Sequence, residues 1–332
     1  MKLLVTGGCG FIGSNFIRFM LETHPDFEIV NLDALTYAGN PENLKDVETN
    51  PRYRFVLGRI EDADMVRTAM KGVESVVHFA AESHVDRSIL DAQPFLKTNI
   101  LGTHLLFDIA REYGISRFIH ISTDEVYGTL GDSGKFTEET PLRPNSPYSA
   151  SKAAADLLAR AYYETYKLPV ILIRPSNNYG PYQYPEKFIP LMITNLLTDK
   201  SIPVYGRGEN IRDWLYVEDN CRAIDLILHK GRPGEAYNVG GRSEVKNIEL
   251  ARQVLAHMGR GESDIQYVKD RPGHDYRYAL DISRMENELG WKPLVGIEEG
   301  IEKTVRWYKK NEQWWRSLKE RLLHESRGFW QK

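Results

Sequence analysis

TGGCGFIG, residues 6–13, decides the fold, because it joins a short apolar run to the start of a helical pattern. Gly7, Gly10 and Gly13 have the spacing G-x-x-G-x-x-G, a variant of the dinucleotide-binding fingerprint. Glycine is required because the backbone must turn tightly and approach a pyrophosphate at the N-terminus of the helix. A glycine turn between a strand and a helix can also be purely structural, and the motif alone leaves that alternative open.

Asp33 strengthens the prediction of a dinucleotide site. It ends the second predicted strand, 20 residues after Gly13, where a carboxylate accepts hydrogen bonds from the ribose hydroxyls. Its negative charge would repel a ribose phosphate, and the next residue, Ala34, supplies no positive charge to offset that repulsion. The sequence therefore predicts NAD rather than NADP.

The first half of the chain alternates β-rich runs with helical patterns, which is typical of a parallel sheet with crossover helices. The predicted strands are Lys2–Thr6, Glu28–Leu32, Tyr53–Leu57, Ser75–Phe79, Arg117–Ser122 and Val170–Arg174. The predicted helices are Phe11–Glu22, Asp62–Met70, Pro94–Tyr113 and Pro147–Tyr166. We predict an α/β fold with a Rossmann-like, doubly wound parallel sheet in residues 1–175, to which later segments return. A smaller mixed α/β lobe, mainly residues 176–332, would bind the substrate.

Composition excludes several classes of protein. The 332 residues are 42% hydrophobic and 27% charged, as in ordinary globular proteins, and a net charge of −3 favours neither nucleic acid nor an anionic membrane. Cys9 and Cys221 cannot form a disulfide framework, have no metal-ligand spacing, and are expected to be buried. No apolar run approaches the roughly 18 residues of a membrane span, so we expect a cytoplasmic protein. Four aromatic residues near the end should pack against the body: Trp307, Tyr308, Trp314 and Trp315.

A candidate base lies at the start of the predicted helix 147–166. Tyr148 and Lys152 are four residues apart and therefore lie on one helix face. A free tyrosine has a pKa of about 10, so it needs a nearby ammonium and the positive nicotinamide ring to act as a base at neutral pH. In isolation such a pair is often a surface feature, but here it follows the fingerprint and a fifth strand in the expected order.

The segment STDEVYG, residues 122–128, follows that fifth strand, at the sheet edge where α/β proteins bind ligands. Thr123 can hydrogen-bond a sugar hydroxyl. Of the adjacent acids Asp124 and Glu125, one could remove a proton while the other, protonated, donates to a leaving hydroxide, as an elimination requires. A solvated acidic turn is the alternative, and the position of the pair at the sheet edge argues against it.

The chain as a whole resembles the dTDP-glucose 4,6-dehydratases. The resemblance rests on these segments: TGGCGFIG, NLDALTYAGN, HFAAESHVDRSI, STDEVYG, YSASKAAAD, RPSNNYGPYQYPEKFIPL, RDWLYVED, DRPGHDYRYALD and WYKKNEQWW. Its most diagnostic part is the pair Asp124 and Glu125, because related 4-epimerases typically lack both acids. Decarboxylases and GDP-mannose dehydratases usually carry serine and glutamate at this position.

The resemblance implies a reaction and a role for each catalytic residue. Tyr148 would remove the C4 hydroxyl proton while hydride passes to NAD, and Lys152 would tune Tyr148 and hold the nicotinamide ribose. Glu125 would take the C5 proton, and Asp124 would protonate the departing C6 hydroxyl. Thr123 would orient the substrate and polarise the 4-keto oxygen. Because the hydride returns to C6, NAD would stay tightly bound between turnovers.

The resemblance also implies a set of binding residues. For NAD these are Gly7, Gly10, Phe11, Ile12, Gly13, Asp33, Ala34, Leu35, Thr36, Ile60, Phe79, Ala80, Ala81, Ser83, Thr98, Tyr148, Lys152 and Asn178. For the nucleotide sugar they are Ser83, Thr123, Asn177, Lys187, Pro203, Tyr205, Arg212, Asn247, Arg271 and His274. Guanidinium groups at Arg212 and Arg271 suit a diphosphate, although each could be a surface charge, and His274 could be a structural histidine. No metal site is expected.

One departure from the family concerns the adenine contact. The family commonly has an acid where this chain has Arg59, which cannot accept a hydrogen bond from the adenine amino group but could stack on the ring. Asp62 is expected to cap the following helix instead of binding a ligand.

Several alternatives to this activity stay open on sequence alone. A UDP-glucose 4,6-dehydratase, an epimerase or decarboxylase on the same scaffold, and a non-catalytic NAD sensor are the competing classes. The sequence does not separate a thymine from a uracil base, nor does it identify the deoxysugar made downstream, of which rhamnose is the commonest. The family also implies a homodimer, which we expect to form through a four-helix bundle of the helices that follow Pro94 and Pro147.

Overall fold

The structure, a computed structural model, describes residues 1–270 and 273–326. Its strands are β1 Lys2–Thr6, β2 Glu28–Asp33, β3 Tyr53–Leu57, β4 Ser75–His78, β5 Arg117–Ile121, β6 Val170–Pro175, β7 Asn177–Tyr179, β8 Ile202–Tyr205, β9 Ile211–Tyr216, β10 Ala236–Val239, β11 Glu244–Lys246 and β12 Ile265–Val268. Its α-helices are α1 Phe11–Thr23, α2 Ala63–Met70, α3 Val85–Leu90, α4 Gln93–Phe95, α5 Thr103–Glu112, α6 Pro147–Tyr166, α7 Phe188–Leu196, α8 Val217–Lys230, α9 Asn247–Met258, α10 Ser283–Leu289, α11 Ile297–Lys310 and α12 Glu312–Ser326. Short 3₁₀ helices span Pro41–Leu44, Asp124–Tyr127 and Glu262–Asp264.

A seven-stranded parallel sheet forms the centre of the molecule, in the order β10-β6-β5-β4-β1-β2-β3. The strand order reverses between β1 and β4, and in such sheets ligands bind at this switch point, beyond the carboxyl ends of the strands. The predicted α/β, Rossmann-like fold is confirmed.

Strand β1 contains three consecutive apolar residues, Leu3, Leu4 and Val5, because both faces of the strand are buried. Leu3 and Val5 pack into one hydrophobic core and Leu4 into another, each with no exposed surface. Successive side chains of a strand point to opposite faces of the sheet, and helices cover both faces of a parallel sheet. A strand buried on both faces therefore needs no polar alternation.

The second half of the chain supplies a separate hydrophobic core and one strand of the large sheet. A three-stranded sheet (β11-β9-β7) and a two-stranded sheet (β12-β8) accompany helices α7, α9, α11 and α12. Tyr308 and Trp315 are buried in this core, with Trp307 and Trp314 against it, which confirms the expected packing of the tail. Because β10 pairs with β6, the second half does return to the sheet; the division at residue 175 stays a prediction.

Two local predictions are confirmed. Asp62 caps α2, since its carboxylate accepts hydrogen bonds from the backbone N–H groups of Asp64 and Met65 at 3.1 and 3.2 Å. Cys9 and Cys221 are both buried. No helix in the described ranges is long and apolar enough to cross a membrane.

The predicted helix 94–113 differs from a regular α-helix. Between α4 and α5 the residues Leu96–Gly102 adopt π-helical geometry, which widens the helix and is common near functional sites. Asn99, in this stretch, donates from its amide to the Glu82 carbonyl and to Ser151 Oγ, both at 2.9 Å, and accepts from the Glu82 N–H. The π-helical stretch thus ties the loop after β4 to α6.

Candidate active site

A cleft of about 330 Å³ lies at the carboxyl ends of the parallel strands. The structure brings most of the predicted residues together in its walls: Gly7, Gly10, Phe11, Ile12, Gly13, Asp33, Ala34, Thr36, Ile60, Phe79, Ala80, Ala81, Ser83, Thr98, Thr123, Asp124, Glu125, Tyr148, Lys152, Asn177, Asn178 and Lys187. Residues from both halves of the chain therefore share one site.

The glycine turn between β1 and α1 fits a dinucleotide. Gly7 has a φ of +72°, and a Cβ atom there would lie 2.6 Å from the backbone nitrogen of Ala80. A Cβ atom on Gly13 would lie 2.5 Å from the carbonyl oxygen of Gly7, so neither position admits a side chain. Helix α1 begins at Phe11, after Gly10, with no side-chain cap. Its first N–H groups are therefore available to an anionic group such as a pyrophosphate.

Asp33 holds the glycine turn and lines the cleft. Its two carboxylate oxygens accept hydrogen bonds from the N–H groups of Cys9 and Leu35, each at 2.8 Å. Burial raises the pKa of Asp33, and these two hydrogen bonds act in the opposite direction. Each oxygen keeps a second lone pair for a ribose hydroxyl. Leu35 contributes its backbone here, while its side chain packs against the core instead of lining the cleft.

Helix α6 delivers the predicted base and its lysine. Pro147 occupies the first turn, and the helix starts with a capping box in which Ser146 and Ser149 exchange side-chain to backbone hydrogen bonds. Lys152 is 4% exposed, and its Nζ donates to the carbonyl of Ile121, at the end of β5, at 2.6 Å. The ammonium is thereby anchored at the carboxyl edge of the sheet.

The environment of Tyr148 opposes ionisation of the phenol. Burial, and after it the charge of Glu125, raise the pKa of Tyr148 well above its ordinary value, and Asp124 adds to the increase. A hydrogen bond with Thr123 acts in the opposite direction. Tyr148 therefore needs additional positive charge to act as a base, and a bound nicotinamide ring carries such a charge.

The first of the two adjacent acids lies in an environment that favours its neutral form. Asp124 is 2% exposed, and burial, followed by the charges of Glu125 and Asp213, raises its pKa well above the ordinary value, while Arg212 lowers it. Thr123 donates to Asp124 Oδ1 at 3.3 Å, whereas Asp124 Oδ2 has no hydrogen-bond partner among the described residues. A protonated Asp124 can thus donate to a substrate, beside a second acid in the same cleft.

Arg212 is close to the acids but does not line the cleft. Its guanidinium donates to the carbonyls of Asp275 and Tyr276 at 2.9 and 3.4 Å and lies 4.3 Å from the centre of the Tyr278 ring. These contacts turn the side chain toward the 275–278 segment, which the sequence could not reveal. Its charge still lowers the pKa of Asp124.

The remaining predicted substrate residues divide into two groups. Ser83, Asn177 and Lys187 line the cleft, and Lys187 Nζ donates to the Ser83 carbonyl at 3.2 Å. The others lie in the second half of the chain outside the lining of the cleft: Pro203 and Tyr205 in β8, Asn247 at the start of α9, and His274, whose ring meets Tyr205 edge-on at 6.0 Å. Arg271 lies outside the described residues.

Among the cleft residues that the sequence did not predict or left unassigned, Glu61 and Arg59 carry charge. Glu61 lines the cleft and accepts a hydrogen bond from Thr98 Oγ1 at 2.7 Å. Arg59 lines it too, as its position after β3 indicated. The signal that could have identified Glu61 is its place in the loop at the carboxyl edge of the sheet, three residues from the cleft residue Gly58.

One cluster of possible metal ligands lies outside the cleft. Asp225 Oδ1 is 2.8 Å from His24 Nε2 and 3.1 Å from His229 Nδ1, and none of the three lines the cleft. His24, which follows α1, is hydrogen-bonded to the Asp225 carboxylate, and His229 Nδ1 is hydrogen-bonded to the Asp225 carbonyl at 2.8 Å. These contacts are explained as a hydrogen-bonded link between the end of α1 and α8.

Known proteins resemble this chain over nearly its whole length. A family model described as GDP-mannose 4,6 dehydratase matches residues 4–304. A dTDP-glucose 4,6-dehydratase of Streptomyces niveus is 50% identical over 323 residues, 96% of each chain. The crystal structure of a dTDP-glucose 4,6-dehydratase of Streptomyces venezuelae, with NAD and TYD bound, has 52% identity and a TM-score of 0.94, covering 96% of this chain and 100% of that one.

An epimerase of known structure is less similar to this chain in sequence. The UDP-glucose 4-epimerase of Thermotoga maritima, crystallised with UDP-glucose, has 30% identity and a TM-score of 0.87, covering 94% of this chain and 100% of that one. The fold is thus shared more widely than the sequence.

The parallel sheet, the glycine turn and the Tyr148–Lys152 pair define an NAD-dependent enzyme of the extended short-chain dehydrogenase class. Within that class the level of identity separates the dehydratases from the epimerase. The chain belongs to the dTDP-glucose 4,6-dehydratase family.

Proposed function

We propose that this protein is a hydro-lyase that converts dTDP-glucose into dTDP-4-keto-6-deoxyglucose, through the residues of the cleft described above. The observation that carries the assignment of roles is the adjacent pair Asp124 and Glu125, of which Asp124 is buried so that its neutral form is favoured, in one cleft with Tyr148 and Lys152. An elimination needs an acid and a base at one site, and these side chains provide both.

NAD, when bound, accepts a hydride from C4 of the sugar and returns it to C6 in the same cycle. Gly7, Gly10 and Gly13 would hold its pyrophosphate, and Asp33 would hold the adenosine ribose. Arg59 and Glu61 lie in the same wall and would face the adenine end. Because no net oxidation occurs, the protein would keep the same NAD molecule through many turnovers.

The first step is oxidation at C4. Tyr148 would accept the proton of the C4 hydroxyl, and Lys152 would stabilise the phenolate electrostatically and hold the nicotinamide ribose. Thr123, which is hydrogen-bonded to Asp124, would orient the substrate and donate to the 4-keto oxygen. The positive nicotinamide ring is the further charge that the buried Tyr148 requires.

The second step is loss of water across C5 and C6. The 4-keto group acidifies the C5 proton, which Glu125 would remove. Asp124 would give its proton to the C6 hydroxyl as the C6–O bond breaks, so that water leaves and a C5–C6 double bond forms. Return of hydride to C6 and of a proton to C5 completes the product.

Ser83, Asn177 and Lys187 would bind the sugar end of the substrate from within the cleft. Arg212, Pro203, Tyr205, Asn247, Arg271 and His274 would bind its nucleoside diphosphate from the second half of the chain. Asn247 Oδ1 is buried without a hydrogen-bond partner among the described residues, so it can accept one from a ligand.

We also propose a homodimer. Apolar side chains are exposed along α3, the π-helical stretch and α6, which pack against one another: Ile89 at 43%, Leu90 at 57%, Leu96 at 48%, Leu101 at 61% and Leu157 at 59%. Several large apolar side chains exposed on helices that contact one another are typical of a subunit interface. A second copy of the chain would cover them through a four-helix bundle. The cytoplasmic location stays a prediction.

The test is to incubate the purified protein with dTDP-glucose, without added NAD, and to follow the product by mass spectrometry. Loss of one water with formation of a 4-keto-6-deoxy sugar supports both the activity and the retained cofactor. Activity that appears only with UDP-glucose would move the substrate to the uracil nucleotide. Formation of a C4 epimer in place of dehydration would contradict the roles of Asp124 and Glu125.

A further inference from the structure

Tyr148 and Lys152 lie on one face of α6, and a third residue, Asp156, continues this face into the interior of the protein. Asp156 follows Lys152 by four positions, as Lys152 follows Tyr148, so all three lie on one face of α6. Their exposures are 8% for Tyr148, 4% for Lys152 and 2% for Asp156. Tyr148 and Lys152 line the cleft, whereas Asp156 does not. Asp156 is therefore a buried acid adjoining the catalytic pair on the protein side.

Asp156 forms an ion pair inside the protein. Its Oδ2 accepts a hydrogen bond from Arg174 Nε at 2.8 Å, with side-chain exposures of 1% and 7%. Arg174, in β6, also donates from Nη1 to Tyr127 Oη at 2.8 Å. A buried guanidinium requires such a partner, because an unpaired buried charge is strongly destabilising.

The other oxygen of Asp156 is not committed to a hydrogen bond. Asp156 Oδ1 has no hydrogen-bond partner among the described residues and lies 3.6 Å from Nε2 of His120, whose two ring nitrogens also have none there. His120, on β5, lies opposite His78, its register partner on β4. Burial, and then the charge of Lys152, keep the pKa of both histidines well below the ordinary value. Both imidazoles are thus neutral and add no charge near Lys152.

Lys152 is balanced between two opposing influences. Burial lowers its pKa to about 8, and the carboxylate of Asp156 acts in the opposite direction. A lysine in this range changes its charge close to neutral pH, so one neighbouring charge has a large effect. Arg174 faces the same network from β6, but it is directly paired with Asp156.

We infer that Asp156 is a positioning residue that keeps Lys152 protonated while Tyr148 acts as the base. It acts through Lys152 and touches neither substrate nor cofactor. The inference rests on the proposed function, in which the ammonium of Lys152 stabilises the Tyr148 phenolate. It assigns to the Asp156–Arg174 pair a part in the reaction, beyond holding α6 against β6.

The decisive variant is Asp156→Asn, with kcat/KM for dehydration measured from pH 6 to pH 10. Without the carboxylate, Lys152 loses its proton at lower pH, and the alkaline fall in rate moves down by about one pH unit. A shift of that size lowers the rate at pH 8 by roughly fivefold and leaves the rate at pH 6 nearly unchanged. A purely structural role of Asp156 would reduce the rate by the same factor at every pH.

Two further variants keep the test decisive. Tyr127→Phe removes a partner of Arg174 but leaves the Asp156 carboxylate. It should therefore lower thermal stability without moving the alkaline limb of the pH profile, the range in which kcat/KM falls as pH rises. If Asp156→Asn fails to fold because Arg174 is left unpaired, the double variant Asp156→Asn/Arg174→Gln removes both members of the ion pair and should show the same downward shift.

The inference is overturned if a folded variant without the carboxylate keeps the alkaline limb of the parent, or if Tyr127→Phe shifts it equally. Absence of product from the parent protein at every pH would instead contradict the proposed function. The two failures are thereby distinguishable.

Discussion

The indole Nε1 of Trp314 donates a hydrogen bond of 2.9 Å to the side-chain oxygen of Asn43, across 271 positions of sequence. The amide nitrogen of Asn43 donates in turn to the carbonyl of Cys9, in the glycine turn, at 2.9 Å. Cys9 is also bound through its N–H to Asp33. Helix α12 therefore braces the turn that faces the cofactor, although it lies in the other half of the chain.

We predict that Trp314→Phe weakens retention of NAD. Phenylalanine keeps an aromatic ring against Trp307 and Tyr182 but removes the donor to Asn43. Loss of one such hydrogen bond costs about 1 kcal/mol, or roughly fivefold in the dissociation constant of NAD. The measurement is NAD content after gel filtration, with the dissociation constant from titration. Trp307→Phe, a change in the same aromatic cluster, should retain NAD like the parent; equal retention by both variants would argue against the brace.

We predict that Glu125→Gln separates the two halves of the reaction. Glutamine cannot accept the C5 proton, so dehydration should slow by at least about 100-fold, while Tyr148 still supports oxidation at C4. Reduced cofactor should then accumulate and be visible in the near-ultraviolet absorbance after mixing with substrate. Tyr148→Phe is the matched comparison, in which neither NADH nor product should form. Near-normal dehydration by Glu125→Gln would assign the base elsewhere.

We predict that Asp33→Asn reduces the discrimination between NAD and NADP. The amide removes the negative charge and places a donor against one of the two backbone N–H groups that Asp33 now satisfies. The loss of a charged hydrogen bond costs about 1.5 kcal/mol, roughly tenfold in affinity for NAD. Titration with both dinucleotides should show their dissociation constants moving closer together. Asp62→Asn, a change at the cap of α2 outside the cleft, should leave the ratio as it was.

We predict that Leu101→Arg combined with Leu157→Arg gives a monomer. Both side chains are highly exposed on the apolar surface that we assign to the dimer, at 61% and 59%, and burying a guanidinium there carries a large desolvation cost. Light scattering gives the mass. Leu294→Arg changes an equally exposed leucine, at 64%, elsewhere on the protein and should leave the mass unchanged. A parent protein that is itself monomeric would rule out the proposed interface.

The elements predicted well are those whose signals are local. The glycine turn, Asp33 and the start of α6 are specified by neighbouring residues, and their positions in the structure match the prediction. The π-helical stretch could not be foreseen, because it depends on the contacts of Asn99 with Glu82 and Ser151 in other segments. The orientation of Arg212 similarly depends on carbonyl groups about 63 residues away. Long-range partners of this kind leave no pattern in the local sequence.

The place of β10 at the sheet edge has a consequence for the newly made chain. Strand β6 has the sequence VILIRP and is buried on both faces, but its outer edge is completed only by residues 236–239. At a synthesis rate of roughly 5–20 residues per second, the 60 residues from 176 to 235 take roughly 3 to 12 seconds to appear. For that interval an apolar strand presents unpaired backbone groups, the template on which chains aggregate. Production of this protein should therefore respond to whatever shields that edge during translation, such as a chaperone or a lower temperature.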